Sequence, residues 1–161
     1  MVRVMASGVF DLLHPGHLYF LTQSRKLGDE LVVVVARDRT ASRLKREPIL
    51  PEEMRREMVE ALKPVDRAVL GSLTDIYHTV EELRPDIIAL GYDQHFDEAE
   101  VERECSRRGL KIRVVRLGEL PNDLLATRQI LERVLSRYAR ARRELEEEDE
   151  PRARPRRDPG A

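Results

Sequence analysis

Residues 31–36 read LVVVVA, an unbroken apolar run with four consecutive valines. β-Branched side chains are stiff about χ1 and suit extended backbone. Successive side chains of a strand point to opposite faces, so a strand that is apolar at every position must be covered on both sides. That requirement selects a parallel sheet with helices on each face and excludes a half-solvated antiparallel sheet. The run is also far shorter than the ~20 apolar residues a membrane-spanning helix needs.

The rest of the chain supplies the matching elements. Residues 2–6 are a short apolar segment ending at Ser7 and Gly8, and read as a first strand. Residues 17–27 place Leu18, Leu21 and Leu27 at helical spacing, with Phe20 beside them, and Gly28 and Asp29 stop that helix. Residues 30–37 form the second strand, and Arg37, Asp38 and Arg39 lead into a polar segment. Pro51 opens a helix with Glu52 and Glu53 in its first turn, where acids suit the helix dipole. Met54, Met58, Val59 and Leu62 are expected on its core side, and Lys63 and Pro64 end it. Residues 65–70, 86–91 and 111–117 read as further strands, the last alternating charged and apolar as suits a sheet edge; residues 74–83, 97–108 and 124 to about 143 read as helices. Five strands separated by helical segments predict an α/β fold: a single Rossmann-like, doubly wound parallel five-stranded sheet. Residues 1–143 are expected to form one domain. Residues 144–161, with an acidic run followed by three prolines and four arginines, lose all apolar periodicity and are expected to be a disordered tail.

Composition narrows the function classes. The 29 basic and 30 acidic residues are interspersed and leave a net charge of −1, which argues against a dedicated nucleic-acid binder. The single cysteine, Cys105, excludes an intrachain disulfide framework and is expected to be a small buried apolar residue. No signal-peptide pattern opens the chain and no run is long enough for a membrane span, so a cytoplasmic setting is expected. Scarce Asn and abundant Arg and Glu suit a heat-tolerant protein, although a GC-rich genome raises Arg as well.

Ligands of open parallel sheets bind at the carboxyl ends of the strands, where strand order reverses. The loops after strands one and four are therefore the candidates. The first reads Gly8, Val9, Phe10, Asp11, Leu12, Leu13, His14, Pro15, Gly16, His17. Its two histidines flank a Pro-Gly pair at a helix start, where free N–H groups and positive potential favour phosphate. Gly16 permits close backbone approach, and His14 and His17 can donate to phosphate oxygens of one ligand. Asp11 either contacts substrate or metal or caps the loop by accepting backbone N–H bonds. Phe10 reads as core or site wall. In the second loop, Gly91 suits close approach of a nucleotide and Asp93 or Gln94 could read base or ribose, an ordinary turn being the alternative. His78 reads as a surface helix residue, and His95 matches no motif.

Gly8 to His17 resembles the G-x-F-D-x-x-H-x-G-H signature of the cytidylyltransferase-like nucleotidyltransferases, the superfamily with a HIGH-type motif. Residues 45–66 (KREPILPEEMRREMVEALKPVD), 68–72 (AVLGS) and 84–94 (RPDIIALGYDQ) are similar to the archaeal FAD synthetase branch, and the resemblance covers roughly residues 2–140. It implies transfer of AMP from ATP to FMN, giving FAD and pyrophosphate, by a homodimer. It implies that His14 and His17 hold α- and β-phosphate oxygens. It places Lys45 on the phosphates from a mobile loop, with Arg46 as a substitute and a solvated loop charge as the alternative. It gives Gly8, Val9, Phe10, Asp11, Gly16, Gly91, Asp93, Gln94, Thr127 and Arg128 to nucleotide binding. It puts Arg55 near nucleotide or acceptor, a surface ion pair being the alternative. Mg²⁺ or another divalent cation would bridge the triphosphate. No His, Cys or carboxylate cluster has a tight metal-site spacing, so the ion should arrive with ATP and no protein metal ligands are expected. One departure stands out: the family's Ser-Thr segment at the start of the last helix is Leu125, Ala126, Thr127, Arg128 here. The same phosphate machinery serves glycerol-3-phosphate cytidylyltransferase and pantetheine-phosphate adenylyltransferase, and a nucleotide-binding regulator without turnover is the alternative from another class.

Overall fold

A computed structural model of the protein describes residues 1–44, 47–120 and 127–149. Along them run β1 (Arg3–Gly8), α1 (Pro15–Arg25), β2 (Glu30–Val35), α2 (Asp38–Leu44), α3 (Glu52–Glu60), β3 (Arg67–Leu70), α4 (Ile76–Leu83), β4 (Ile87–Leu90), α5 (Glu98–Arg107), β5 (Arg113–Arg116) and α6 (Thr127–Asp149). The strands form one parallel sheet in the order β3-β2-β1-β4-β5.

The valine run is covered on both faces, as its composition demands. Leu31, Val33 and Val35 pack with Leu21 of α1 and Val59 of α3. Val32 and Val34 join Val80 and Leu83 of α4 and Val101 and Cys105 of α5 on the other face. Cys105 is fully buried there, and burial pushes its thiol pKa up. Strand order reverses at β1, whose Met5 lies between Val32 of β2 and Ile88 of β4. The carboxyl ends of β1 and β4 therefore border the crevice of a doubly wound sheet, and the loops picked out from the sequence are the two that flank it.

Local chemistry sets the helix ends. Asp75 caps α4 by accepting from the Tyr77 N–H, and Asp97 caps α5 by accepting from the Glu100 N–H. Each sheet edge has one N–H taken by a glutamate: Glu60 of α3 accepts the Ala68 N–H of β3 at 3.4 Å, and Glu102 of α5 accepts the Val114 N–H of β5 at 2.8 Å.

Three elements differ from the sequence reading. The segment after Arg37, read only as polar, forms α2. Helix α3 meets its apolar pattern only in part: Val59 is buried and Leu62 packs against the core as expected, but Met54 and Met58 are 55% and 51% exposed and Arg55 is buried beside Val59. The last helix is described from Thr127 and continues to Asp149, taking part of the acidic run with it; residues 124–126 and 150–161 lie outside the described residues. The chain divides into two units, Met1–Thr127, which holds the sheet and α1–α5, and Arg128–Ala161, which holds the rest of α6.

Candidate active site

The loop leaving β1 is built around aromatic rings that leave no room for side chains at two glycines. Phe10 adopts a left-handed backbone (φ 50), uncommon for a residue with a Cβ, and turns its ring into the core. That ring lies over Gly8, where an added Cβ would stand 2.9 Å from Phe10 Cε2 and Cζ. It also meets the His17 ring edge-on, with centroids 5.3 Å apart. His14 is the N-cap of α1, its Nδ1 accepting the Gly16 N–H at 3.1 Å. A Cβ on Gly16 would sit 2.9 Å from the His14 Cε1 and Nδ1, so the cap depends on glycine at that position. The imidazoles of His14 and His17 stack, with centroids 3.8 Å apart and planes inclined by 27°. Because Nδ1 accepts a hydrogen bond, neutral His14 carries its proton on Nε2, a donor facing away from the helix cap. Burial pushes its pKa below the ordinary value of 6.5.

Behind the histidines, buried polar groups tie three loops together. The Asp11 carboxylate accepts the N–H groups of Ile49 (3.0 Å) and Leu50 (2.9 Å). These are the hydrogen bonds of the loop-cap reading of Asp11. Arg55 is fully buried, and its ion pair is with Asp38 at the start of α2. Its guanidinium donates to the carbonyls of Val9 (2.6 Å), Ala36 (2.8 Å) and Leu50 (2.9 Å) and to Asp38 Oδ1 (2.7 Å). Periodicity could not reveal this, because all but the Leu50 carbonyl lie 17 to 46 residues away in sequence. Glu52 completes the knot, pairing with Arg37 at 2.9 Å and accepting the Asp38 N–H at 2.7 Å. The excursion from Asp38 to Leu50 is thus fixed at both ends.

The loop after β4 is braced from both neighbouring strands, β1 and β5. The Gln94 side-chain amide donates to the Ser7 carbonyl at the end of β1 (2.8 Å) and accepts the Gly91 N–H (3.0 Å). Gln94 therefore holds β1 to the β4 loop, while Tyr92 and Asp93 stand exposed on its surface. Arg116, at the end of β5, donates to the carbonyls of Gly91, Gln94 and Phe96 and pairs with Glu98. The sequence carried no signal for Arg116, which looked like one more charge on an edge strand.

The histidine pair also borders an open groove of about 530 Å³ on α1, walled by Leu13, Leu18, Tyr19 and Leu62. Lys45, Arg46, Leu125 and Ala126 lie outside the described residues. Thr127 is the first residue of α6, and Arg128 begins the second unit, where it pairs with Glu132 at 2.9 Å. His78 pairs with Glu82 on the surface of α4, 3.4 Å away. Among the described residues no three His, Cys, Asp or Glu side chains are grouped to hold a metal ion, and no helix is long and apolar enough to cross a membrane.

The sequence model of the family described as Cytidylyltransferase-like matches residues 5–143, from within β1 to within α6. The chain belongs to the cytidylyltransferase-like family. Two relatives of this cytidylyltransferase-like chain are named FAD synthase. One, from Aciduliprofundum boonei, is 64% identical over 85% of this chain and 93% of its own length. The other, from Methanothrix thermoacetophila, is 59% identical over 84% of this chain and 94% of its own. A solved structure described as the lipopolysaccharide core biosynthesis protein from Thermoplasma volcanium GSS1 superposes with a TM-score of 0.74, at 52% identity over 75% of this chain and 99% of that one.

Proposed function

We propose that this cytidylyltransferase-like protein is an FMN adenylyltransferase, which transfers AMP from ATP to FMN and releases pyrophosphate. The observation that carries the reaction class is the stacked His14–His17 pair at the start of α1, set at the switch point of the sheet. The FAD synthase relatives choose the acceptor.

The chemistry asks little of the protein in proton transfer. A phosphomonoester has a second pKa near ~6, so FMN reaches the site already ionised. One of its phosphate oxygens attacks the α-phosphorus of ATP. The new phosphoanhydride bond forms as the bond from the α-phosphorus to the α–β bridging oxygen breaks, and the electron pair leaves with pyrophosphate. The barrier lies in bringing two anions together and in stabilising charge on the phosphate oxygens, which is a matter of positioning and electrostatics. His14, with its proton on Nε2, and His17 donate to the α- and β-phosphate oxygens beside the N-terminus of α1. By the family resemblance, Lys45 serves the phosphates as well. Gly8, Val9, Phe10 and Gly16 shape the phosphate loop. Gly91 and Asp93 line the base side, and Gln94 holds that side in register with β1.

Mg²⁺ suits this donor set as a companion of ATP: Asp11 already serves the loop at residues 49–50, so phosphate oxygens would be the ion's chief ligands. Bound there, the ion supplies further neutralisation of the triphosphate. The setting is cytoplasmic and the assembly a homodimer.

The test is a pyrophosphate-release assay that crosses ATP and CTP with FMN, glycerol 3-phosphate and phosphopantetheine, with mass spectrometry of the products. FAD from ATP and FMN alone is the expected result; a product from another pair overturns the acceptor. His14→Ala and His17→Ala should each lower kcat by roughly 10² or more with circular dichroism unchanged, as loss of one oxyanion donor does elsewhere. A variant that keeps most of its rate removes the role given to that histidine.

A further inference from the structure

We infer that Arg116 is a positioning residue for nucleotide binding: it holds the loop at residues 91–96 in the shape that presents Gly91 and Asp93 to ATP. The inference rests on the reading that this loop faces the nucleotide. Arg116 lies in register with Leu90, the last residue of β4, so its side chain starts beside the point where the loop begins. Its guanidinium then spans the loop. One nitrogen donates to both the Gly91 carbonyl (3.0 Å) and the Gln94 carbonyl (2.9 Å), another to the Phe96 carbonyl, and Nε to Glu98 Oε1 (2.6 Å) in the first turn of α5.

Three main-chain carbonyls of one loop therefore converge on one cation. The Gly91 carbonyl also accepts the Gln94 N–H at 3.2 Å, which closes the turn, and the Gln94 side chain ties it to Ser7. With the carbonyls drawn toward β5 and the Gln94 amide toward β1, Tyr92 and Asp93 are left exposed between the two anchored positions Gly91 and Gln94. A planar guanidinium can serve acceptors along two edges at once, which a lysine ammonium on a single atom cannot. Glu98 binds the same guanidinium but touches no loop carbonyl through it, so removing its charge separates the ion pair from the loop contacts.

The experiment is steady-state kinetics with ATP and FMN on Arg116→Lys, Arg116→Gln and Glu98→Gln, with melting curves for each and calorimetric titration with ATP. Both Arg116 variants should raise KM and Kd for ATP about tenfold, the worth of one charge-assisted hydrogen bond, with kcat and KM for FMN within about twofold of wild type. Glu98→Gln should melt lower yet bind ATP within about twofold of wild type. Unchanged ATP affinity in folded Arg116 variants overturns the inference, and so does a Glu98→Gln variant that loses ATP affinity to the same degree. A wild type that binds ATP but makes no FAD overturns the proposed reaction instead, and the ATP titrations still decide the role of Arg116.

Discussion

Two imidazoles stacked 3.8 Å apart cannot readily both carry a proton, because like charges at that distance oppose each other. The cap geometry adds a second reason for His14 to stay neutral: protonating Nδ1 removes the lone pair that accepts the Gly16 N–H. Its pKa in the folded protein lies below 6.5. As pH falls through 6.5 the unfolded chain therefore takes up the proton first, so the stability present above 6.5 declines as pH drops toward the folded-state pKa. His14→Gln should flatten that decline, seen as a smaller fall in Tm than wild type between about pH 7.5 and 5.5; an equal fall removes His14 as its source. Gly16→Ala tests the cap from the other side. The added Cβ would push the imidazole from its place, and a displacement of about 1 Å at a catalytic group can cost about 10²-fold in rate. That loss should come with little change in Tm. The histidines and Gly16 were legible because residue type, spacing and the loop-to-helix setting all pointed the same way. The stacking was not, nor was the left-handed backbone of Phe10, whose ring meets His17 edge-on, since no local pattern announces either.

At the scale of elements, α3 shows how a helix can rank its residues against their hydrophobicity. Met54, Met58, Val59 and Leu62 pointed to the core; Val59 and Leu62 reach it, yet Arg55 is fully buried and the methionines are half-exposed. A buried guanidinium is tolerable only where acceptors surround it, and here three carbonyls and one carboxylate do so. Arg55→Met keeps the bulk and strands those acceptors, so it should lower the unfolding free energy by about 3 kcal/mol in a urea titration. A loss under about 1 kcal/mol would mean that water replaces the guanidinium and that the knot is not structural. The same knot explains why α2 escaped detection: its start is held by Glu52 and Arg55 from elsewhere in the chain rather than by its own pattern. Strands β2 and β4, by contrast, were plain from their apolar runs, since strands covered on both faces carry their burial in their composition.

For the whole molecule, the order β3-β2-β1-β4-β5 determines where a ligand can go. The β1 and β4 loops were marked from the alternation of strands and helices alone, because a doubly wound sheet offers one reversal point. What alternation could not give is how the β4 loop is anchored: Gln94 ties it to the end of β1, 87 residues away in sequence, and Arg116 ties it to β5. The proposed homodimer should appear in light scattering at about twice 18.7 kDa, and a mass of one chain would overturn it. The glutamates along the sheet rims bear on how such copies meet. A bare outer strand is a template that a neighbouring chain can extend. With Glu60 and Glu102 each occupying an outward N–H, these short rims are poorer templates for strand-by-strand growth into fibrils.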